Sequence, residues 1–229
     1  MNGALKTILS ILLALVIAGL VYLIVQSVME PVNFNKEKAR REAVAIQRLK
    51  DIRDLEVAFK SVNNRFTASV DSLRDFYQNG KMKIVMQVGS TDDSLAVAHT
   101  EAVKKANRGI KPEGLFELYK KGDRNLVFAV SQEVPVRDTL FSSREDFSID
   151  SLKYIPFSGE PVLMDAVVKK VSGVDVPLFE AKMPYKALLK GLDNQQRINL
   201  DADRRAQNRY EGLQVGSVTA PNNNAGNWE

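Results

Sequence analysis

A long apolar run lies near the N-terminus of this chain. Between Lys6 and Glu30, residues 7–29 carry no charged side chain. As a helix this run is about 34 Å long, enough to cross a hydrocarbon core of about 30 Å, and a helix satisfies its own backbone hydrogen bonds in lipid. A cleaved signal peptide fits less well, because the run exceeds a usual signal h-region and no clear A-x-A site follows it. The pattern predicts a transmembrane helix after a short tail, residues 1–6.

A second apolar pattern begins soon after this run. Pro31 favours an extended break at the residue before it. Over residues 36–62, apolar side chains recur at spacings of three and four, which predicts an amphipathic helix of about seven turns. The predicted apolar face consists of Ala39, Ala43, Ile46, Leu49, Ile52, Leu55, Phe59 and Val62. Ser69 can cap a short helix over residues 70–77, so residues 30–80 are predicted to form a stalk helix followed by a short helix.

Strand and helix patterns alternate over residues 81–210, where we predict a single head with a small antiparallel sheet. The strand-like segments are residues 81–88, 125–130, 134–136, 154–157, 162–171 and 174–181. The last two flank a Ser172-Gly173 turn, which indicates a hairpin, and Pro177 suggests an edge strand. The helix-like segments are residues 91–107 and a tract over residues 185–210 that is interrupted near Asp193-Asn194. Inward positions predicted for the second of these are Leu188, Leu189, Leu192, Ile198, Ala202 and Ala206.

The end of the chain has a different character. From Gly216 onward it is rich in Asn and Gly, and Val218 and Trp228 are its large apolar side chains. We therefore predict that residues 211–229 are loosely ordered. Taken together, the patterns predict an α+β protein: a transmembrane helix, an amphipathic stalk and a soluble head.

Composition narrows the chemistry that this chain can perform. Lys and Arg number 32 against 28 Asp and Glu, so the formal charge of +4 does not imply a nucleic-acid partner. The absence of cysteine and the single histidine, His99, argue against thiol catalysis and against thiolate or His-rich metal sites. Neither a P-loop nor a G-x-G-x-x-G motif occurs, so nucleotide binding has no support. We predict no cofactor, no metal site and no identifiable small-molecule substrate.

Candidate catalytic residues do not form a recognisable set. His99 could act with a nearby carboxylate and a serine nucleophile, and the candidates are Asp92, Asp93, Glu101, Ser90 and Ser94. No G-x-S-x-G elbow accompanies them, and a lone helical histidine is more often a surface or half-buried residue. The carboxylates that lie close together in sequence are Glu113, Glu117, Asp201 and Asp203. Such carboxylates are usually hydrated rather than catalytic. We therefore predict no catalytic residue and no enzymatic activity.

Basic residues near the apolar run bear on orientation and on lipid contact. They are Lys36, Lys38, Arg40, Arg41 and Arg48, against Lys6 alone before the run. The positive-inside rule places the head in the cytoplasm on this count. A very short N-terminal tail before a long soluble domain is instead the usual layout of a bacterial signal-anchor protein, which places the head in the periplasm. The mixed charges of the stalk are read as a solvated face, with contact to anionic lipid as the alternative. A further basic helix face, Arg204, Arg205 and Arg209, lacks the aromatic platform of an RNA-binding surface.

The layout over residues 8–76 resembles type IV pilin-like and pseudopilin-like proteins. The resemblance rests on the run from Arg41 through Leu49 and Ile52 to Phe66-Thr67 and Leu73, which follows the anchor. Such proteins carry an acidic residue five positions after the cleavage glycine, but that position counted from Gly3 is Ile8. The resemblance therefore implies a minor, unprocessed or assembly-scaffold role rather than a polymerising pilin.

Most of the chain is also similar to an uncharacterised family of bitopic membrane proteins from Bacteroidota. The segments that carry this similarity are MEPVNFNKEKARREAVAIQRLKDIRD, DTLF, VPLFEAKMPY and NNNAGNWE. The similarity implies a Gram-negative inner-membrane setting with a periplasmic head. It supplies no activity.

These observations predict a non-enzymatic, single-pass membrane protein that serves as a structural or scaffold subunit of a pilus-like or secretion-like envelope assembly. Its expected partners are inner-membrane lipid and either other envelope proteins or a second copy through the stalk. Two alternatives remain: an anchored module that binds a ligand or peptide by strand addition near Pro135 or Pro177, and a cytoplasm-facing membrane adaptor.

Overall fold

The computed structural model describes residues 3–229, with side chains described from Leu9 onward, so Met1 and Asn2 of the predicted tail lie outside the described residues. Helices and two antiparallel sheets confirm the α+β class. The helices are α1 (Gly3–Asn63), α2 (Val70–Asn79), α3 (Ser94–Ala106), α4 (Pro112–Lys120), α5 (Val136–Thr139), a 3-10 helix (Ile149–Lys153), α6 (Tyr185–Leu188) and α7 (Asn194–Ala206). The strands are β1 (Lys81–Val88), β2 (Phe128–Pro135), β3 (Leu163–Val171), β4 (Val174–Pro184) and β5 (Gly212–Gly216).

Helix α1 joins the apolar run to the amphipathic segment without interruption. Its Leu9–Asn63 portion contains an unburied stretch of mean hydropathy 2.6, so within the described residues one helix is long and apolar enough to cross a membrane. The predicted break at Pro31 is wrong, because this residue lies inside the helix. A proline costs one backbone hydrogen bond and crowds the preceding turn. The apolar run before Pro31 and the packed segment after it favour helix strongly enough to absorb that cost.

The described chain forms two compact units rather than the predicted single head over residues 81–210. Unit 1 comprises the chain up to Asp54 together with Asp150–Glu229, and unit 2 comprises Leu55–Ile149. Each unit contains one of the sheets, and α1 contributes buried side chains to both, including Leu49 and Ile52 in unit 1 and Leu55 in unit 2. The division follows from strand pairing, because every ladder joins strands of the same unit.

The apolar face of α1 was predicted in part. Its central positions Leu49, Ile52 and Leu55 are fully buried, as the spacing indicates. Ala39 and Ala43 are exposed, whereas Phe34 is only 7% exposed. A helix alone does not bury a phenylalanine ring, so the chain packs against α1 as early as Phe34, four residues after Glu30.

In unit 1, β4 is the central strand of the order β3-β4-β5, and both ladders are antiparallel. The predicted hairpin is confirmed: Ser172 and Gly173 have φ of 50° and 85°, as the turn requires. At Pro177, β4 pairs with β3 alone among the described strands, so this part of β4 is an edge as predicted, although β4 is central over Glu180 to Pro184. Strand β5 pairs only with Glu180 to Pro184 of β4, so Pro177 lies beyond that ladder and its missing N–H removes no bond there.

The end of unit 1 is ordered, contrary to the prediction for residues 211–229. Strand β5 pairs with β4, and the backbone N–H of Asn227 donates to the Gln214 carbonyl at 2.9 Å. The Asn227 side chain also donates to the Gly212 carbonyl at 2.9 Å. Asn223 and Asn224 take positive φ of 55° and 58°, which asparagine tolerates in turns. The asparagine-rich composition therefore encodes turns in this segment and not disorder.

Unit 2 contains the β1-β2 ribbon, in which β1 has the predicted bounds. The two strand pieces predicted after residue 125 form one strand, β2, and Val136 begins α5. The Ser69 cap of α2 is confirmed, since the Ser72 backbone N–H donates to its hydroxyl at 3.4 Å. A small core lies between α4 and β2, and its buried members are Val88, Leu115, Leu126, Phe128 and Val130.

Candidate functional site

Two arginines of α1 bind backbone carbonyls elsewhere in unit 1. Arg41 donates to the carbonyls of Leu188 and Lys190 at 3.1 and 2.9 Å. Carbonyls at a helix end have no partner within the helix, so these bonds satisfy groups that α6 leaves open. Arg48 donates in the same way to the carbonyls of Ser151 and Tyr154, at 2.9 and 2.6 Å. Each guanidinium therefore fixes the position of α1 against a turn of the chain that is distant in sequence.

A network of side-chain hydrogen bonds around Tyr185 adds to this attachment. The hydroxyl of Tyr185, a residue with no exposed surface, donates to Glu42 at 2.5 Å and accepts from Arg204 at 2.7 Å. Burial, reinforced by the neighbouring Glu42 carboxylate, raises the pKa of Tyr185 above its ordinary value. The phenol therefore remains protonated. It links α1 to α7 through hydrogen bonds to two charged side chains, Glu42 and Arg204. We call Arg41, Glu42, Arg48, Tyr185 and Arg204 the anchor cluster.

The face of α1 next to the anchor cluster carries a second set of contacts. Arg40 and Arg41 both pair with Glu37, at 2.6 and 2.9 Å, and hold its pKa at about 2. Both guanidinium carbons also lie over the ring of Phe157, at 4.9 and 5.0 Å from its centre. Phe157 has a φ of 66°, a conformation that a bulky residue adopts only when its surroundings hold it there.

These contacts attach α1 rigidly to the rest of unit 1. Guanidinium groups form planar donor forks, so their paired bonds fix orientation as well as distance. The polar groups of the anchor cluster form hydrogen bonds with one another and with backbone carbonyls. The sequence does not reveal that Arg41 and Arg48 make these bonds, because a backbone carbonyl acceptor leaves no mark on the sequence.

The structure separates His99 from the partners that the sequence offered. Its Nε2 lies 2.9 Å from the Asp123 carboxylate, 24 residues away. Asp93 instead caps α3, accepting from two backbone N–H groups at 3.1 Å, and Glu101 binds Lys104 at 3.0 Å. Ser90 accepts from the Asp92 N–H at 3.2 Å. These bonds are helix caps, turns and surface pairs, and they do not bring a nucleophile to His99.

The paired carboxylates also differ in their surroundings. Glu117 binds Lys120 at 3.1 Å on the surface, four residues from the exposed Glu113. Asp203 is exposed, whereas Asp201 is buried and accepts from Arg197 at 2.5 Å. Within residues 3–229, His, Asp and Glu side chains form no group of three or more that could hold a metal ion.

The predicted basic face on α7 is divided by its contacts. Arg204 turns to Tyr185, and Arg205 binds Glu211 at 2.7 Å. The predicted inward positions Ile198, Ala202 and Ala206 are exposed, while Leu188 and Leu189 are buried as predicted. The covered side of α7 carries the polar pair of Asp201 and Arg197 instead of these three exposed residues.

No protein-family model, no curated protein and no solved structure matches this chain.

Proposed function

We propose that this protein is a non-enzymatic, single-pass membrane protein and acts as a structural or scaffold subunit of a cell-envelope assembly, pilus-like or secretion-like in kind. One observation carries the proposal: the apolar segment belongs to the same uninterrupted helix as Arg41, Glu42 and Arg48, through which the anchor cluster holds α1. A module that only needed tethering could hang from a flexible linker. A continuous helix with fixed attachments transmits position and force instead.

The expected location is the inner membrane, with the head in the periplasm. The early packing against α1 at Phe34 supports a head held close to the lipid surface, because four residues of helix rise only about 6 Å. The charge count around the span favours a cytoplasmic head, so orientation requires its own measurement. The chain has no cysteine, which makes that measurement direct.

Orientation is tested with Val168→Cys, since Val168 is 62% exposed on β3. Whole cells are treated with a thiol reagent that crosses the outer but not the inner membrane. We expect labelling before lysis. Labelling only after the inner membrane is broken would contradict a periplasmic head and favour the cytoplasm-facing adaptor.

The scaffold role is tested by crosslinking from the exposed side of α1. Val44 is 38% exposed on this helix, and its neighbour Ala43 is also exposed, so this side is available to a partner or a second copy. We expect Val44→Cys to form a discrete crosslinked species in native cells under mild thiol crosslinking. Val168→Cys is the matched control and should not form that species. Recovery of Val44→Cys with lipids and general chaperones alone would contradict the proposal.

A second candidate, peptide binding by strand addition, rests on the β1-β2 ribbon. Among the described strands each of these two pairs only with the other, so each has an outer edge. Val85 on β1 is 70% exposed. Extended peptides add to such edges through backbone hydrogen bonds. Val85→Pro removes one backbone donor, and loss of a bound peptide from this variant, but not from Val85→Thr, would favour the binding module.

A further inference from the structure

An open cavity of about 530 Å³ lies beside α7 in unit 1. Its walls come from the start of α6, one side of α7 and the turn before β5. The charged residues among them are Lys186, Arg197, Asp201, Arg205, Arg209 and Glu211. The exposed Ile198 and Ala202 add an apolar wall. This combination of size, charge and apolar surface fits a small polar ligand.

The basic residues of the cavity fall into two classes. Arg197 and Arg205 are committed to the carboxylates of Asp201 and Glu211, at 2.5 and 2.7 Å. The side chains of Lys186 and Arg209 have no hydrogen-bond or ion-pair partner within the described part of the chain. Two uncommitted cations facing one cavity match the charge of a phosphate monoester, which is close to −2 at neutral pH.

Asp201 supplies the opposite chemistry. It is only 6% exposed, and its Oδ2 accepts from Arg197, but its Oδ1 is buried without a hydrogen-bond partner among the described residues. Burial raises the pKa of Asp201 against the lowering effect of Arg197, so the carboxylate is incompletely compensated. A buried carboxylate with one unpaired oxygen is costly, and a ligand cation beside this carboxylate would offset part of that cost.

We propose that this cavity binds a small amine–phosphate zwitterion, with the phosphate on Lys186 and Arg209 and the ammonium group beside the carboxylate of Asp201, which lines the cavity. The short apolar linker of such a molecule lies along Ile198. The same chemistry occurs in a free phosphomonoester and, with one charge fewer, in the headgroup of a phosphatidylethanolamine lipid. The site is independent of the anchor cluster, and it gives the membrane-attached unit a ligand of its own.

The test uses the detergent-solubilised full chain and three probes: phosphoethanolamine, inorganic phosphate and ethanolamine. Binding is measured by calorimetry. We expect phosphoethanolamine to bind at least tenfold more tightly than either inorganic phosphate or ethanolamine. Equal binding of phosphate and phosphoethanolamine would overturn the role of Asp201, and no binding of any probe would overturn the site.

Variants separate the two ends of the ligand. Arg209→Ala should weaken phosphoethanolamine and phosphate at least tenfold. Asp201→Asn should weaken phosphoethanolamine and should not weaken phosphate, because it also releases Arg197 from its ion pair at the cavity. Lys170→Ala, the loss of one exposed charge on β3 away from the cavity, is the matched control and should change neither. If Lys170→Ala weakens binding as much as Arg209→Ala, the interaction is a general charge effect and the site is wrong.

A second experiment identifies the source of the ligand. The chain is reconstituted in vesicles containing either phosphatidylethanolamine or phosphatidylglycerol, and free phosphoethanolamine is added. Competition by the first lipid alone assigns the cavity to a lipid headgroup. Unchanged binding in both vesicles assigns it to a free phosphomonoester.

Discussion

The two units use α1 in different ways. In unit 1 the helix is held by side chains that reach distant backbone, and the central strand β4 buries Phe179, Ala181 and Met183 completely. In unit 2 the sheet is a two-stranded ribbon, and Val85 of β1 is largely exposed while Val88 is buried. A two-stranded ribbon is marginal by itself and depends on what packs against it. The rigid attachment of the helix is therefore concentrated in unit 1.

Two acids of α1, Glu42 and Glu56, show the same contrast. Glu42 in unit 1 is paired with the Tyr185 hydroxyl and with Lys38. Glu56 in unit 2 is fully buried, and its Oε2 accepts from the Thr67 N–H at 3.1 Å, while Oε1 has no hydrogen-bond partner among the described residues. Burial raises the pKa of Glu56 to about 8 despite that bond. One acid is therefore built into a network, and the other is carried as a neutral group that fixes a turn.

The largest expected effect comes from Tyr185→Ala. It removes a fully buried ring together with the link between Glu42 and Arg204, and we expect a loss of about 3–5 kcal/mol in the free energy of unfolding. In amide hydrogen exchange, β4 and β5 should lose more protection than β1 and β2. Tyr154→Ala, which truncates an exposed tyrosine of the same unit, is the control. Equal losses in both sheets would contradict the separation of the units.

Glu56→Gln tests unit 2 through pH. The folded-state pKa of Glu56 lies above its unfolded value, so its contribution is fully present below about pH 4.5 and is lost as pH rises to about 8. The slope is at most about 1.4 kcal/mol per pH unit. The variant should lose this part of the pH dependence and should be more stable than the parent at pH 8. Thermal unfolding between pH 5 and 8 checks this, with Glu101→Gln on the exposed face of α3 as control. An unchanged pH profile in Glu56→Gln would show that the acid is not buried in solution.

A smaller effect is expected from Arg48→Ala, which leaves the carbonyls of Ser151 and Tyr154 without this donor. Hydrogen bonds from charged groups contribute about 1.5–3 kcal/mol, so we expect a loss in that range, measured by denaturant unfolding. Arg53→Ala breaks a solvent-screened pair with Glu229 and should cost clearly less than Arg48→Ala. If the two variants cost the same, the attachment of α1 does not depend on backbone carbonyls.

Sequence patterns anticipated elements whose signals are local. The Ser172-Gly173 hairpin, the Ser69 cap and strand β1 depend on a few neighbouring residues, and all three are present. The end of the chain misled the same reasoning, because Asn223 and Asn224 suit ordered turns as well as disorder.

The attachment and the cavity were beyond sequence reasoning for a different reason. Arg41 and Arg48 bind carbonyls, which every residue possesses, so no spacing marks them. Asp201 and Asp203 are two residues apart on one helix, and the turn of the helix alone decides that the first is buried and the second exposed. Their different chemistry appears only once the rest of unit 1 is in place.

The continuity of α1 also fixes the rotation of unit 1 around the helix axis relative to the apolar segment. Each residue of a helix advances it by about 100° and 1.5 Å, so Arg41, Glu42 and Arg48 lie at a fixed angle around the helix axis relative to the side chains of the apolar segment. One alanine inserted after Val32 would rotate these three residues by about 100° relative to the apolar segment, whereas seven would return them to within about 20°. A neighbour that binds one side of the apolar segment would thereby determine the direction in which unit 1 faces.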